Sequence, residues 1–278
     1  MTFLEAIILG LVQGLTEFLP VSSSGHLVLS QELMGVEDKG VTFEILVHFG
    51  TLLSVIIYFW KRLWGLFLSI LPPFKEERKE DRKMIGYLAI ASVPAAIVGF
   101  SPLKGHFEGA YEKPALVGLL LVLTGAILFL PPLLKTKGTK GTKGTKGTKG
   151  TKEVGIKSAI AMGLGQALAI LPGVSRSGST IVSGMVSGTK SSAAAEFSFL
   201  MAIPAIAAAS LLEVKDLVTI ETELLVVYIA GGVVAFLSGL AAIYAVLAAI
   251  RRGKFEYFGV YCVTAGLLAF FYFRSAGA

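Results

Sequence analysis

Long apolar segments separated by short polar connections make up most of this chain. Six of them, 41–60, 84–101, 115–133, 193–213, 224–250 and 255–273, are long enough to cross a bilayer as helices, which takes about 20 residues. Two further apolar segments, 2–34 and 156–187, are interrupted by proline and by a cluster of serine and glycine. An interrupted segment of this kind predicts a helix hairpin that enters the membrane and returns on the same side. The pattern therefore predicts an all-α integral membrane protein with six transmembrane helices and two re-entrant helix hairpins.

The two interrupted segments are similar in sequence. Residues 10–27 and 163–180 align without a gap at an offset of 153, and eight of the eighteen positions are identical. We interpret this similarity as a duplication with one unit at 1–133 and another at 155–278. Each unit is predicted to consist of a hairpin followed by three crossings.

Basic residues in the connections predict the orientation of these units. The connection 61–83 has seven lysines and arginines, whereas 102–114 has two and 214–223 has one. By the positive-inside rule, the first connection is cytoplasmic and the other two are external. Both chain termini are then external, and the two hairpins enter from opposite sides. The sequence thus predicts an inverted-topology repeat whose two turns meet near the middle of the membrane.

The segment between the units has low complexity. Residues 134–154 contain repeated Thr-Lys-Gly triplets, which cannot bury apolar surface and predict a disordered linker. Removing the seven lysines of this segment from the formal net charge of +6 leaves −1. The overall positive charge therefore does not indicate a nucleic-acid partner. With 54% apolar and 16% charged residues, the composition favours a lipid bilayer as the environment.

The first interrupted segment carries an unusual set of polar residues. Gln13 and Glu17 are four residues apart and share one helix face, and a carboxylate within a membrane segment usually has a function. The turn that follows contains three serines, a glycine and a histidine: Ser22, Ser23, Ser24, Gly25 and His26. Hydroxyl groups and free amides at a helix start predict an anion site, with phosphate as the natural ligand. The alternative is that the serines only cap the helix.

The second interrupted segment supplies a positive charge. Arg176 lies in its turn, where a guanidinium group can bind two phosphate oxygens at once. Buried in the membrane, this group needs Glu17, an anionic ligand, or each in turn as its partner. The alternative is a purely structural ion pair with Glu17. Further hydrogen-bond donors in this turn are Ser175, Ser177 and Thr180.

Three other polar residues lie in apolar segments. Glu44 and His48 are one helical turn apart, and Glu196 occupies the corresponding position of the second unit at an offset of 152. We interpret all three as residues that pack against the irregular backbone of the hairpins.

The segments QGLTEFLPVSSSGH and LPGVSRSGSTI, with AAEFSFLMAIP after the second, closely resemble the BacA/UppP family of undecaprenyl-pyrophosphate phosphatases. The resemblance covers both units but not the Thr-Lys-Gly segment. It implies a bacterial inner-membrane hydrolase that converts undecaprenyl pyrophosphate to undecaprenyl phosphate, which returns to peptidoglycan synthesis, and it implies bacitracin resistance. It also implies a site on the external side and a divalent cation, Mg or Ca.

The family motifs can be placed on this chain residue by residue. The acidic motif corresponds to Gln13 and Glu17, which are our candidate metal ligands. The remaining motif residues are Ser22, Ser23, Gly25 and His26 in the first turn and Ser175, Arg176 and Thr180 in the second. Many members have two glutamates where this chain has Gln13 and Glu17, which argues against a mechanism here that needs two carboxylates at these positions.

The residue types suit hydrolysis of a diphosphate. Our hypothesis makes Ser23 the nucleophile, His26 its proton acceptor and later donor, Glu17 a metal ligand or orienting base, and Arg176 a clamp on the phosphates. Direct attack by an activated water is the alternative. Whether the chain forms a homodimer is left open.

Two other functions are compatible with parts of the sequence. A transporter or lipid flippase could use the same inverted repeat and anion site, although a pure binding site needs no general base. The phosphatidic-acid phosphatase superfamily expects a histidine six residues beyond the arginine, where this chain has Val182.

Overall fold

The computed structural model describes residues 1–36, 41–102, 105, 107, 109–133, 153–213 and 222–276. Within these residues the regular structure is helical, as the sequence predicts. The α-helices are α1 (Phe3–Phe18), α2 (Ser23–Met34), α3 (Val41–Tyr58), α4 (Trp60–Ser69), α5 (Lys79–Gly99), α6 (Pro114–Leu133), α7 (Ile156–Leu168), α8 (Arg176–Val186), α9 (Ser191–Glu213), α10 (Thr222–Arg251) and α11 (Glu256–Ala276), and a 3₁₀ helix spans Glu76–Arg78.

Five of these helices, α5, α6, α9, α10 and α11, are long and apolar enough to cross a membrane. A sixth crossing is formed if α3 and α4, which meet at a bend of 75°, count as one span. The fold is therefore that of a multi-pass all-α membrane protein, and the six predicted crossings correspond to these elements. The structure differs from the prediction after residue 60, because α4 continues as a helix in a new direction. Leu66 and Ser69 are buried on one side of α4, and Trp60 and Trp64 are exposed on the other.

Each interrupted segment forms a helix, a turn and a second helix. The turn of the first hairpin ends where the hydroxyl of Ser22 accepts a hydrogen bond from the Gly25 amide at the start of α2. At the equivalent position of the second hairpin, the hydroxyl of Ser175 accepts one from Gly178 at the start of α8. Serine is among the best residues for this capping position, so the same local chemistry starts both helices. That each hairpin returns to the same membrane surface stays a prediction.

Helices of the first half pack against helices of the second half. Helix α1 packs along α10, and the corresponding helix of the second half, α7, packs along α5. The last helices of the halves, α6 and α11, pack together, and so do α3 and α9. With this exchange, the turns of the two hairpins lie against each other. The division into units at 1–133 and 155–278 stays a prediction, and residues 134–152 of the predicted linker lie outside the described residues.

Candidate active site

The turns of the two hairpins touch each other. A Cβ atom placed on Gly25 would lie 2.9 Å from the Cα atom of Gly173, so only a glycine permits this approach. The hydroxyl of Ser177 donates a hydrogen bond to the carbonyl of Leu19, at 3.0 Å. The expected convergence of the two turns is therefore present in the structure.

Glu17 is the centre of the polar contacts between the hairpins. Its Oε2 atom accepts hydrogen bonds from Ser23 Oγ at 2.6 Å and from Gln13 Nε2 at 3.0 Å. Its Oε1 atom forms an ion pair with the guanidinium group of Arg176. The Nε2 atom of His48 is 3.9 Å from Oε2. Because Glu17 is buried, its charge is balanced by these neighbours rather than by water.

Arg176, the first residue of α8, is held from the second half of the molecule. Its Nη1 atom donates to the carbonyl of Ser198 on α9, at 3.4 Å. Its own carbonyl accepts from the hydroxyl of Thr180 at 2.8 Å, and that hydroxyl lies 2.6 Å from Ser198 Oγ. These contacts fix the guanidinium group on the side of Glu17.

The second turn is also fixed from outside the hairpin. Thr124 on α6 donates from its hydroxyl to the carbonyl of Gly173 at 2.7 Å and accepts from the amide of Ser175 at 2.9 Å. Gly173 has a φ of 97°, which a residue with a side chain rarely adopts. Thr124 therefore bonds to the backbone of both Gly173 and Ser175, and so fixes the turn that the conformation of Gly173 allows.

A cavity of about 340 Å³ opens beside Glu17 and Arg176. Its polar wall comes from both turns and from α3, and its apolar wall comes mainly from α9 and the end of the first helix of the second hairpin. The lining residues are Glu17, Ser22, Ser23, Ser24, Glu44, Ile45, His48, Tyr111, Ala169, Ile170, Val174, Ser175, Arg176, Ala205, Ile206, Ala209 and Ser210. A charged end and an apolar wall in one cavity suit an amphipathic ligand with an anionic head.

Apart from His26, the structure places the residues singled out from the sequence in two groups. Those that line the cavity are Glu17, Ser22, Ser23, Ser24, Ser175 and Arg176. The others support the cavity from behind, where Gln13 contacts Glu17, Gly25 contacts Gly173, Ser177 bonds to Leu19, and Thr180 bonds to Ser198.

His26 does not line the cavity. Its Nδ1 atom lies 2.8 Å from the carbonyl oxygen of Ser22, and its Nε2 atom lies 2.8 Å from the hydroxyl of Tyr261 on α11. The two rings are stacked, with centroids 5.6 Å apart. The hydroxyl of Ser23 is bonded to Glu17 rather than to His26, so the structure does not bring together the serine–histidine pair of our hypothesis.

Glu44 and His48 lie in the cavity wall, where sequence reasoning expected only packing. The Nδ1 atom of His48 lies 2.8 Å from the carbonyl oxygen of Glu44, one turn earlier on α3. The signal that could have found them is their spacing, because two polar residues one turn apart in an apolar helix face one point. Glu196, at the corresponding position of the second half, instead accepts a hydrogen bond from Arg62 at 3.1 Å.

The site offers few protein ligands for a metal ion. Among the described residues, no group of three or more histidine, cysteine, aspartate or glutamate side chains could hold one. The Gln13 Oε1 atom next to Glu17 is buried and has no hydrogen-bond partner in the described part of the chain. Because Gln13 turns its Nε2 atom toward Glu17, this oxygen and the Glu17 carboxylate would share a Mg²⁺-like ion only with the Gln13 amide flipped, and the other ligands of the ion would be water and substrate phosphates.

Comparison with known proteins gives a consistent result. Residues 6–268 match the family described as "Bacitracin resistance protein BacA". A protein of Syntrophotalea carbinolica named "Undecaprenyl-diphosphatase" is 42% identical over 271 residues, covering 97% of this chain and 98% of that protein. Proteins of the same name from Moorella thermoacetica and Rhodopirellula baltica are 39% and 38% identical, covering 99% and 95% of this chain and 100% and 96% of theirs. The chain therefore belongs to the BacA family.

Proposed function

We propose that this protein is an undecaprenyl-diphosphatase, which hydrolyses undecaprenyl diphosphate to undecaprenyl phosphate and inorganic phosphate. The product is the carrier lipid that is used again in peptidoglycan synthesis. The observation that carries this proposal is the group formed by Glu17, Ser23 and Arg176 at the charged end of a cavity with an apolar wall. In this proposal Ser23 supplies the nucleophile, Glu17 the proton acceptor and Arg176 the cation.

The charged end of the cavity suits a diphosphate. The guanidinium group of Arg176 can exchange Glu17 for phosphate oxygens, because a phosphate group, like a carboxylate, presents two anionic oxygens. The first amides of α2 and α8 have no partner within their own helices, and both helices begin at the cavity. Two helix N-termini and one arginine can therefore stabilise the negative charge of the transferred phosphoryl group.

Ser23 is the proposed nucleophile, because its hydroxyl donates a hydrogen bond to Glu17. In the proposed reaction, Ser23 Oγ attacks the terminal phosphorus, its proton passes to Glu17, and the bond to the bridging oxygen breaks to release undecaprenyl phosphate. Water then hydrolyses the phosphoserine and releases inorganic phosphate. In the alternative reaction, water held beside Glu17 attacks the terminal phosphorus directly. The 2.6 Å hydrogen bond from Ser23 to Glu17 favours the route through serine.

We propose that activity requires a divalent cation, Mg or Ca. Glu17 and, with its amide flipped, the Oε1 atom of Gln13 would hold it, together with oxygens of the substrate. When bound, such an ion would neutralise part of the charge on the diphosphate. This role would not need the second carboxylate that Gln13 replaces.

The cavity is proposed to open to the external side of the bacterial inner membrane. It is lined from the first part of α3, by Glu44 and His48, and by Tyr111 from the connection after α5. The strongly basic connection 61–83 lies beyond the other end of α3. The positive-inside rule puts that connection in the cytoplasm, and this supports an external cavity and external chain termini. Ala205, Ile206 and Ala209 would then face the prenyl chain near its head group.

Release of phosphate tests the proposed function directly. Purified protein in detergent is expected to release inorganic phosphate from undecaprenyl diphosphate, and Glu17→Ala and Arg176→Ala are expected to abolish this release. Glu223→Ala, an exposed residue at the start of α10, serves as a matched control with wild-type activity. Movement of the lipid across vesicles without any phosphate release would contradict the proposal and would favour a transporter.

A further inference from the structure

We infer that Tyr261 is a positioning residue for the turn that carries Ser22 and Ser23. It acts through His26, which bonds to the backbone carbonyl of Ser22. The inference deepens the proposed function and rests on it. Tyr261 lies on α11, 235 positions from His26 along the chain. The sequence motif of the first hairpin therefore gives no indication of the contact between His26 and Tyr261.

Ser22 has an unusual backbone conformation. Its φ is 70° and its ψ is 97°, and among the described residues it is the one non-glycine residue with positive φ. The equivalent Ser175 has an ordinary φ of −69°. A positive φ is unfavourable for serine, because it brings the Cβ atom close to a neighbouring backbone carbonyl oxygen. Other contacts must therefore hold Ser22 in this conformation.

His26 makes those contacts. Its backbone amide donates to the carbonyl of Ser22 at 3.2 Å, and its Nδ1 atom lies 2.8 Å from the same oxygen. Because a carbonyl oxygen only accepts hydrogen bonds, Nδ1 carries a hydrogen, and in the neutral ring Nε2 is left as an acceptor. The hydroxyl of Tyr261, 2.8 Å from Nε2, is then the donor that satisfies it.

The conformation of Ser22 sets the direction of the groups that follow it. Ser22 caps α2 through its hydroxyl, and the next residue is Ser23, whose hydroxyl bonds to Glu17. Helix α11 also contacts the start of the turn, because Cys262 Sγ lies 3.7 Å from the carbonyl of Pro20. Two adjacent residues of α11 therefore hold the turn near both ends.

Both ring nitrogens of His26 are engaged by groups other than Ser23. Ser23 donates its hydrogen bond to Glu17, and Nε2 of His26 is occupied by Tyr261. The structure thus assigns His26 to holding the turn rather than to receiving the proton of Ser23. This is a different role from the one that sequence reasoning gave it.

The substitution Tyr261→Phe keeps the stacked ring and removes only the hydroxyl. We expect kcat to fall about 3- to 10-fold, the effect of one hydrogen bond, with KM and the melting temperature unchanged. Tyr257→Phe is the matched control, because Tyr257 lies one turn earlier on α11 and is 68% exposed. The double variant Tyr261→Phe/His26→Gln is expected to be no slower than His26→Gln alone. A wild-type kcat for Tyr261→Phe, or rate losses that multiply in the double variant, would overturn the inference.

A spectroscopic measurement separates this inference from the proposed function. The chain has three histidines, so ¹⁵N-histidine labelling gives few signals, and His26→Gln identifies the one from His26. We expect an Nδ1-protonated ring whose Nε2 shift changes in Tyr261→Phe and not in Tyr257→Phe. If that shift changes while wild-type protein releases no phosphate, the contact stands and the proposed function fails. An unchanged Nε2 shift overturns the inference whatever the activity.

Discussion

Arg176 and Glu17 form a buried ion pair between the two hairpins, although 159 positions separate them along the chain. Neither side chain has an equivalent at the same position of the other half, where Ser23 corresponds to Arg176 and Ile170 to Glu17. The pair therefore joins two positions at which the similar turn sequences differ. One hairpin contributes the anionic side chain and the other contributes the cationic one.

Arg176→Lys is expected to lower kcat at least about 100-fold while the protein remains folded, because lysine is a point charge that cannot hold two phosphate oxygens in a fixed geometry. Phosphate release from undecaprenyl diphosphate measures the effect. Arg251→Lys, an exposed residue at the end of α10, should be indistinguishable from wild type. Normal turnover by Arg176→Lys would remove Arg176 as the phosphate clamp.

Ser23→Ala is expected to reduce kcat about 1,000-fold, because it removes the attacking oxygen. Ser24→Ala should have a much smaller effect, since the Ser24 hydroxyl makes a long contact of 3.4 Å with the hydroxyl of Ser22. Rapid quenching of protein mixed with ³²P-labelled substrate should trap the label on Ser23. Inversion of configuration at phosphorus in the wild-type reaction would instead show direct attack by water.

Gln13→Ala is expected to raise the concentration of Mg²⁺ or Ca²⁺ needed for half-maximal activity about 10-fold or more. The chain contains its own control. Gln166 is the equivalent residue in the second half, is equally buried and has an Oε1 atom that lacks a partner in the described residues, but it has no carboxylate one turn later. Gln166→Ala should leave the cation requirement unchanged. Equal cation titrations for the two variants would exclude Gln13 as a ligand.

The helices and the pairing of the turns could be predicted from sequence because they depend on local signals. Proline, capping serines and the length of the apolar segments predict the hairpins and the crossings. Glu17 and Arg176 predict the pairing of the turns, because each charge needs a partner within the membrane. The direction in which the His26 side chain points could not be predicted from the sequence. It depends on Tyr261, which α11 brings to the first turn through packing against α6.

The roles of Glu44 and Glu196 show the same limit. They occupy corresponding positions of the two halves, so the sequence pattern predicts the same role for both. The bend between α3 and α4 brings Arg62 to Glu196, whereas Glu44 faces the cavity. A local pattern could not distinguish them, because the difference comes from an element that has no counterpart in the second half among the described helices.

Close packing of the hairpins against the opposite half depends on glycine. A Cβ atom on Gly10 of α1 would lie 2.3 Å from the carbonyl oxygen of Gly231, and one on Gly163 of α7 would lie 2.5 Å from that of Ala91. These two glycines are equivalent in the repeat, and each approaches the backbone of a long helix in the other half. Small residues allow such backbone contact between membrane helices.

Gly10→Ala and Gly163→Ala are therefore each expected to destabilise the folded protein by about 1–3 kcal/mol, because a carbonyl group cannot move aside as a flexible side chain can. Thermal unfolding in detergent, followed by loss of the monodisperse species in size-exclusion chromatography, measures this. Gly86→Ala on α5 is the control, since a Cβ atom there meets nothing within 4 Å and alanine favours the helix. If all three variants unfold at the wild-type temperature, the two halves do not depend on these contacts for their association.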